Sequence, residues 1–358
     1  MNRISDFMNE LSEKLIRQKE ITESSAISYI KNLYNLNNRE VFNNLSFLRN
    51  TNNVENALNS YKDNTKKTIL SGIVSVLSLY KDKPTYKKVY QHYFDLMMNK
   101  AHEMKDNNIN EKSKAQNDNW ITWEQVLNVK KNLKNIVDTF ASNKFITAIQ
   151  FDYLLGYLIL SLYTDIPPRR NQDYIDMYFV NNYTDGLDSN RNYLDWANKK
   201  LVFLKYKTAK KYGKQIIDIS DNKDLLDALT LYLKFHPLNP SQNLKKLPKN
   251  TNFKLLVYSN GSYLDAVNSI TRILNKIFGR NIGSSMLRHI YLSSKYDIKD
   301  MKDDAEKMGH SLNEQRQYIK EGSGNCSDSI EDTEVEIPII KQVIKPMSKA
   351  MKSKHIIV

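Results

Sequence analysis

The chain has 358 residues, 41% of them hydrophobic, and carries 53 Lys and Arg against 40 Asp and Glu for a net charge of +13. That length exceeds one small core and suits two domains with a tail, while the single cysteine, Cys326, excludes an internal disulfide framework and a cysteine-rich zinc site. The charge balance favours a polyanionic partner, since cations that meet phosphates release counterions, although a well-solvated lysine-rich surface gives the same balance.

The start of the chain, Met1 to Phe7, has no apolar signal-peptide core, and no apolar run is long enough to span a bilayer. An intracellular protein is therefore expected, not a secreted one, without a membrane partner. Ile4, Phe7, Met8, Leu11, Leu15 and Ile16 recur at helical spacing over residues 3–18. Further helices are predicted from Thr22 through Tyr34, around Val54 to Tyr61, over Ile69 to Leu77, and, after the break at Lys83-Pro84, from Tyr86 to Met97. Residues 1–103 thus read as an α-helical unit. Residues 104–118, polar and charged almost throughout, read as an exposed linker.

Thr122-Trp123-Glu124-Gln125 has the form of a helix capping box and opens the second domain, with Trp120 and Trp123 as core anchors. The segment Tyr153 to Tyr163 is apolar nearly all round and should be a buried central helix, stopped by Ile166-Pro167-Pro168. Two strands, Leu201–Leu204 and Gln215–Ile219, flank a lysine-rich turn, and a third, Phe253 to Tyr258, ends at Asn260-Gly261. Helices are predicted over 222–235, 262–278, 284–295, 300–308 and 312–320. The fold class is mainly α with a small β-sheet. From residue 322 to 358 a Gly/Ser-rich, then acidic, then basic tail follows, with an apolar cluster between Ile337 and Ile344 as a docking element; Cys326 lies in this tail, where a catalytic thiol would lack rigid support.

The second domain holds a chemically suggestive series. Pro167-Pro168-Arg169-Arg170-Asn171-Gln172-Asp173 follows the buried helix; Lys207 lies in the hairpin turn with Lys205, Lys210 and Lys211; then come Ser285-Met286-Leu287-Arg288-His289, Met308-Gly309-His310-Ser311 and Tyr318. Displacement at a phosphodiester places extra negative charge on the non-bridging oxygens, and two guanidiniums can clamp it with rigid forks. A tyrosine hydroxyl can attack phosphorus to form a covalent phosphotyrosine. A lysine can protonate the departing 5′ oxygen, and an imidazole can hold a phosphate oxygen or assist the tyrosine proton. Individually each residue has a plainer reading: a solvated cation, a structural histidine, one packing tyrosine among 22.

The order Arg, Lys, Arg-His, Gly-His-Ser, Tyr resembles the tyrosine recombinase (phage integrase) family over residues 120–320, and the wording Pro-Pro-Arg-Arg resembles its members in large DNA viruses of eukaryotes and related mobile elements. The resemblance implies an α-helical core-binding domain over 1–103, a linker over 104–118 and a catalytic domain over 119–321; the flexible tail over 322–358 is expected, from its Ile337–Ile344 cluster, to dock in trans on a neighbouring protomer. It implies a site-specific recombinase or integrase acting on double-stranded DNA in the nucleus, viral factory or cytoplasm of a host. Four protomers on two DNA sites would work through a 3′-phosphotyrosyl intermediate, with neither metal nor cofactor. Carried across, Arg170 is the first arginine, with Arg169 as the alternative and Asp173 holding that arginine or its loop. Lys207 is the general acid, with Lys205, Lys210 and Lys211 as rivals. Arg288 is the second arginine, His310 the late histidine and Tyr318 the nucleophile.

Two departures from the family pattern stand out. Ser285 occupies the position three before Arg288 where the family has His or Lys, which shifts weight onto His289, Lys207 or His310. Tyr318 follows His310 by eight positions, one fewer than usual. A type IB topoisomerase, or a DNA-binding protein with a decayed site, fits the same residues as an alternative.

Overall fold

A computed structural model describes residues 5–106, 112–294 and 304–309. The chain divides into two units, Met1–Ile109 and Asn110–Val358. It is mainly α-helical, with one small sheet.

In the first unit, α1 (Asp6–Lys19) and α2 (Glu23–Leu36) each start where a hydroxyl accepts from a free backbone N–H: Ser5 from Met8, Thr22 from Ser25. α3 (Thr51–Asn59), α4 (Asp63–Leu77) and α5 (Pro84–Asp106) follow. The apolar spacing read from the sequence is the buried face, with Met8, Leu11 and Leu15 on α1 and Ile69, Leu70, Ile73, Val74 and Leu77 on α4. Each such side chain contributes about 1.5–3 kcal/mol by leaving water. Pro84 opens α5, at a position where a missing N–H costs nothing. Tyr93 of α5 is fully buried, and its hydroxyl donates to the Leu48 carbonyl at 3.0 Å.

The predicted linker carries more structure than its composition suggests. α5 runs on to Asp106, and residues Lys114–Asn119 form α6. α6 buries no side chain; a reciprocal capping box between Ser113 and Gln116 holds its start.

In the second unit, the Thr122–Gln125 capping box opens α7 (Trp123–Asp138), and a second box, Thr147–Gln150, opens α8 (Ala148–Thr164). Every residue of α8 from Tyr153 to Tyr163 is buried. It is the axis of the unit, with α7, α11 (Lys223–Lys234) and α12 (Asn268–Phe278) packed round it. After Pro167-Pro168 the chain turns into the short α9 (Asn171–Ile175) and a five-stranded sheet. The strands are β1 (Met177–Val180), β2 (Asn192–Asp195), β3 (Lys200–Phe203), β4 (Gln215–Asp218) and β5 (Asn252–Lys254), in the order β4-β3-β2-β1-β5. β1 and β2 are parallel and the other pairs antiparallel.

The hairpin expected around the lysine turn is β3–β4, registered Val202 to Ile216, with the short α10 (Ala209–Tyr212) in its turn. β1 and β2 were not expected. Each has four residues, and β2 is buried at all four, so no polar–apolar alternation marks it. The helix predicted from 262 starts only at Asn268, because the Asn260-Gly261 turn folds Tyr263 back to bridge Val257. α13 (Ser284–Ser293) completes the larger elements, and residues 304–308 are helical. No described helix is long and apolar enough to cross a membrane.

Candidate active site

Arg169 and Arg170 leave α8 side by side and meet different surroundings. Arg169 is fully buried. Its Nε donates to Asp173 Oδ2 at 2.8 Å; its Nη1 donates to Gln215 Oε1 at 2.9 Å and to the Lys307 carbonyl. Its guanidinium carbon lies 3.9 Å from the centroid of the Phe203 ring, a stacked cation–π arrangement. Arg170 is half-buried at the N-cap of α9, and its Nη1 is shielded from water with no hydrogen-bond partner among the described residues. Arg169 is thus committed to the protein interior, with only its Nη2 lacking a hydrogen-bond partner among the described residues, while Arg170 remains partly exposed.

The Asp173 carboxylate engages Arg169, not Arg170; its link to Arg170 is through the backbone, Asp173 N–H to the Arg170 carbonyl at 3.0 Å. Burial pushes the Asp173 carboxyl above its ordinary value, and the cations of Arg169, Arg170 and Arg288 oppose that rise. Arg288 is therefore in the same neighbourhood, buried on α13 at 7% exposure. The charge of Arg288 also reaches Tyr163, whose hydroxyl burial holds well above its ordinary range and which donates to Asn171 Oδ1 at 2.7 Å. His289 is half-buried, and Ser285 is exposed on the first turn of α13.

Lys207 is exposed in the β3–β4 turn. Of its rivals, Lys205 pairs with Asp176 Oδ2 at 3.0 Å, while Lys210 and Lys211 are exposed on α10. His310, Tyr318 and the tail lie outside the described residues. Gly309, which precedes His310, is described: its carbonyl accepts from Thr208 Oγ1, in the lysine turn. Its backbone is left-handed, with φ +70°, and a β-carbon there would come within 3.1 Å of Tyr206 Cε2, so only glycine fits without strain. Behind it, Met308 is buried with Tyr291 and Leu292, and the Tyr291 hydroxyl donates to Asp304 Oδ2 at 2.9 Å.

Asn192 was not singled out in the sequence. It is fully buried, and its amide joins the arginine turn to the lysine hairpin: Nδ2 donates to the carbonyls of Asp173 and Lys205, and Oδ1 accepts from the N–H groups of Leu204 and Lys205, all at 2.8 Å. A polar residue at the head of the short apolar run Tyr193-Leu194 was the only signal. Gln215 and Thr208 likewise gain their importance only in three dimensions.

Chemically, the arrangement gathers three arginines about one buried carboxylate, with an exposed lysine turn and the residue before a histidine tied to each other beside them. Such a set can bind and polarise a phosphodiester.

No family model matches the chain, and no curated protein sequence does. Among solved structures, the chain is similar to the crystal structure of XerA recombinase at 12% identity and a TM-score of 0.34, over 88% of this chain and 95% of that one.

Proposed function

We propose that the chain is a DNA strand transferase of the tyrosine recombinase type. Tyr318 attacks a phosphodiester, its oxygen bonds to phosphorus, and the 5′ oxygen leaves, giving a 3′-phosphotyrosyl link and a free 5′-hydroxyl. Arg170 and Arg288 hold the non-bridging oxygens as charge builds on them. Lys207 gives the leaving oxygen its proton, and His310 holds a phosphate oxygen or assists the tyrosine proton. A 5′-hydroxyl from another strand reverses the step, so the bond energy is conserved in the phosphotyrosine.

The observation that carries this reading is geometric: the arginine turn and the lysine turn both reach the segment that leads to His310. Arg169, beside Arg170, donates to the Lys307 carbonyl. The turn holding Lys207 is tied, through Thr208, to the carbonyl just before His310. These are the motifs whose order in the sequence resembles the recombinase family.

The test is covalent trapping on duplexes carrying a 5′-bridging phosphorothiolate, with repeats taken from the ends of the encoding element. A denaturation-resistant adduct that disappears in Tyr318→Phe is expected. Strong, salt-sensitive DNA binding without adduct on any substrate would overturn the strand-transferase reading in favour of a binding protein.

A further inference from the structure

The last carbonyls of a helix find no partner within it. At the end of the 304–308 helix those carbonyls are taken by side chains from elsewhere in the second unit. Gln215 Nε2 donates to the Glu306 carbonyl at 2.6 Å, Arg169 Nη1 to that of Lys307, and Thr208 Oγ1 to that of Gly309. The donors are themselves joined, since Gln215 Oε1 accepts from Arg169 Nη1 at 2.9 Å. A cation at a helix C-terminus also meets the negative end of the helix dipole. The cost of burying that cation is offset by Asp173 and by the Phe203 ring face.

We propose that Arg169 is a positioning residue: with Gln215 and Thr208 it clamps the end of the 304–308 helix onto the β3–β4 hairpin and so fixes Gly309, the residue before His310, against the turn that carries Lys207. The clamp stands on the contacts alone; its catalytic consequence rests on the strand-transferase reading above. Arg169 therefore touches no substrate. It acts by setting the distance between groups carried on two separate segments, where small displacements are costly in rate.

Arg169→Met strands the buried Asp173 carboxylate and risks unfolding the unit. Thr208→Val and Gln215→Met carry the test instead, because both keep the Arg169–Asp173 pair. Two readouts are taken on the full chain: amide hydrogen exchange, and the rate of adduct formation at saturating DNA alongside DNA affinity. In the double variant, exchange across residues 304–309 should quicken about tenfold or more, as expected for two lost hydrogen bonds, with α8 unchanged. Adduct formation should slow by a similar factor while DNA affinity holds. Arg169→Lys, which keeps the charge but not the fork, should fall between wild type and the double variant in both readouts.

Unchanged exchange across 304–309 would overturn the clamp. Faster exchange with an unchanged adduct rate would overturn the positioning role. A wild-type protein that forms no adduct sinks the strand-transferase reading and the positioning role with it, and the exchange result then judges the clamp by itself.

Discussion

Asn192 donates to the backbone carbonyl of Asp173 at 2.8 Å, and through the same nitrogen to Lys205 at 2.8 Å, so one buried amide spaces the arginine turn from the lysine hairpin. With Oδ1 accepting two further N–H groups, its hydrogen-bonding capacity is fully used. Asn192→Leu keeps the volume and leaves backbone groups unmatched in a dry interior. A loss of roughly 3 kcal/mol or more in unfolding free energy is expected, at about 1–3 kcal/mol per stranded group. Denaturant unfolding reads it directly. A loss below about 1 kcal/mol would mean that water replaces the amide and that Asn192 spaces nothing.

Arg170 and Arg169 should separate cleanly under salt. Arg170 is half-buried, whereas Arg169 is fully buried with its Nε and Nη1 engaged by protein acceptors. If Arg170 meets a phosphate, Arg170→Gln should weaken DNA binding at every sequence and lower the slope of log affinity against log salt by about one, the share of a single phosphate contact. Its stability should stay within about 1 kcal/mol of wild type, as for a substitution that breaks no buried pair. An unchanged slope would remove Arg170 from the DNA.

How far these assignments could be read in advance depended on the kind of signal. Helices with a continuous apolar face, such as α1, α4 and α8, announced themselves through spacing, and the Thr122–Gln125 box marked the start of α7 to the residue. β1 and β2 did not, because a four-residue strand buried on both faces has neither alternation nor length. The charged residues of the candidate site were legible as residue types in order. Their division of labour was not: that Arg169 is interior and Arg170 half-exposed follows from the turn after Pro168, which no local pattern encodes. Asn192 and Gln215 were invisible for the same reason, as each draws its meaning from carbonyls brought to it by distant segments.

Lys207 can be told from its rivals by changing the leaving group. A 5′-bridging sulfur leaves as a thiolate and needs little help from an acid, whereas oxygen needs a proton. Lys207→Ala should therefore lose about 10²-fold or more in adduct rate on the oxygen substrate, the usual scale of general-acid catalysis, and recover most of it on sulfur. Lys205→Ala breaks the pair with Asp176 and should show no such sulfur rescue. Rescue of Lys210→Ala or Lys211→Ala, with Lys207→Ala unaffected on oxygen, would move the role along the turn.

His236 offers a check on the sheet-side core that is independent of any DNA chemistry. It is buried, with Leu238 N–H donating to Nδ1 at 3.1 Å, which leaves Nε2 to donate to the Leu255 carbonyl at 3.1 Å. Burial pushes the imidazole down to about 4 from its ordinary 6.5, against the pull of the Leu255 and Lys254 backbone contacts. A value lowered by folding means the unfolded chain takes up the proton first. Its stabilising effect is therefore complete above about pH 6.5 and drains away as pH falls towards about 4, by roughly 3 kcal/mol in all. His236→Gln keeps a donor for Leu255 but cannot titrate. It should be less stable than wild type at pH 7, and the gap between the two should narrow steadily as pH drops through that window. Unfolding curves at intervals from pH 7.5 to pH 4 (about half a unit apart, given the width of one titration) measure the gap. Raised carboxyls such as Asp165 and Asp173 titrate in both proteins and cancel in the difference. A gap that stays constant with pH would show that folding does not lower the imidazole of His236.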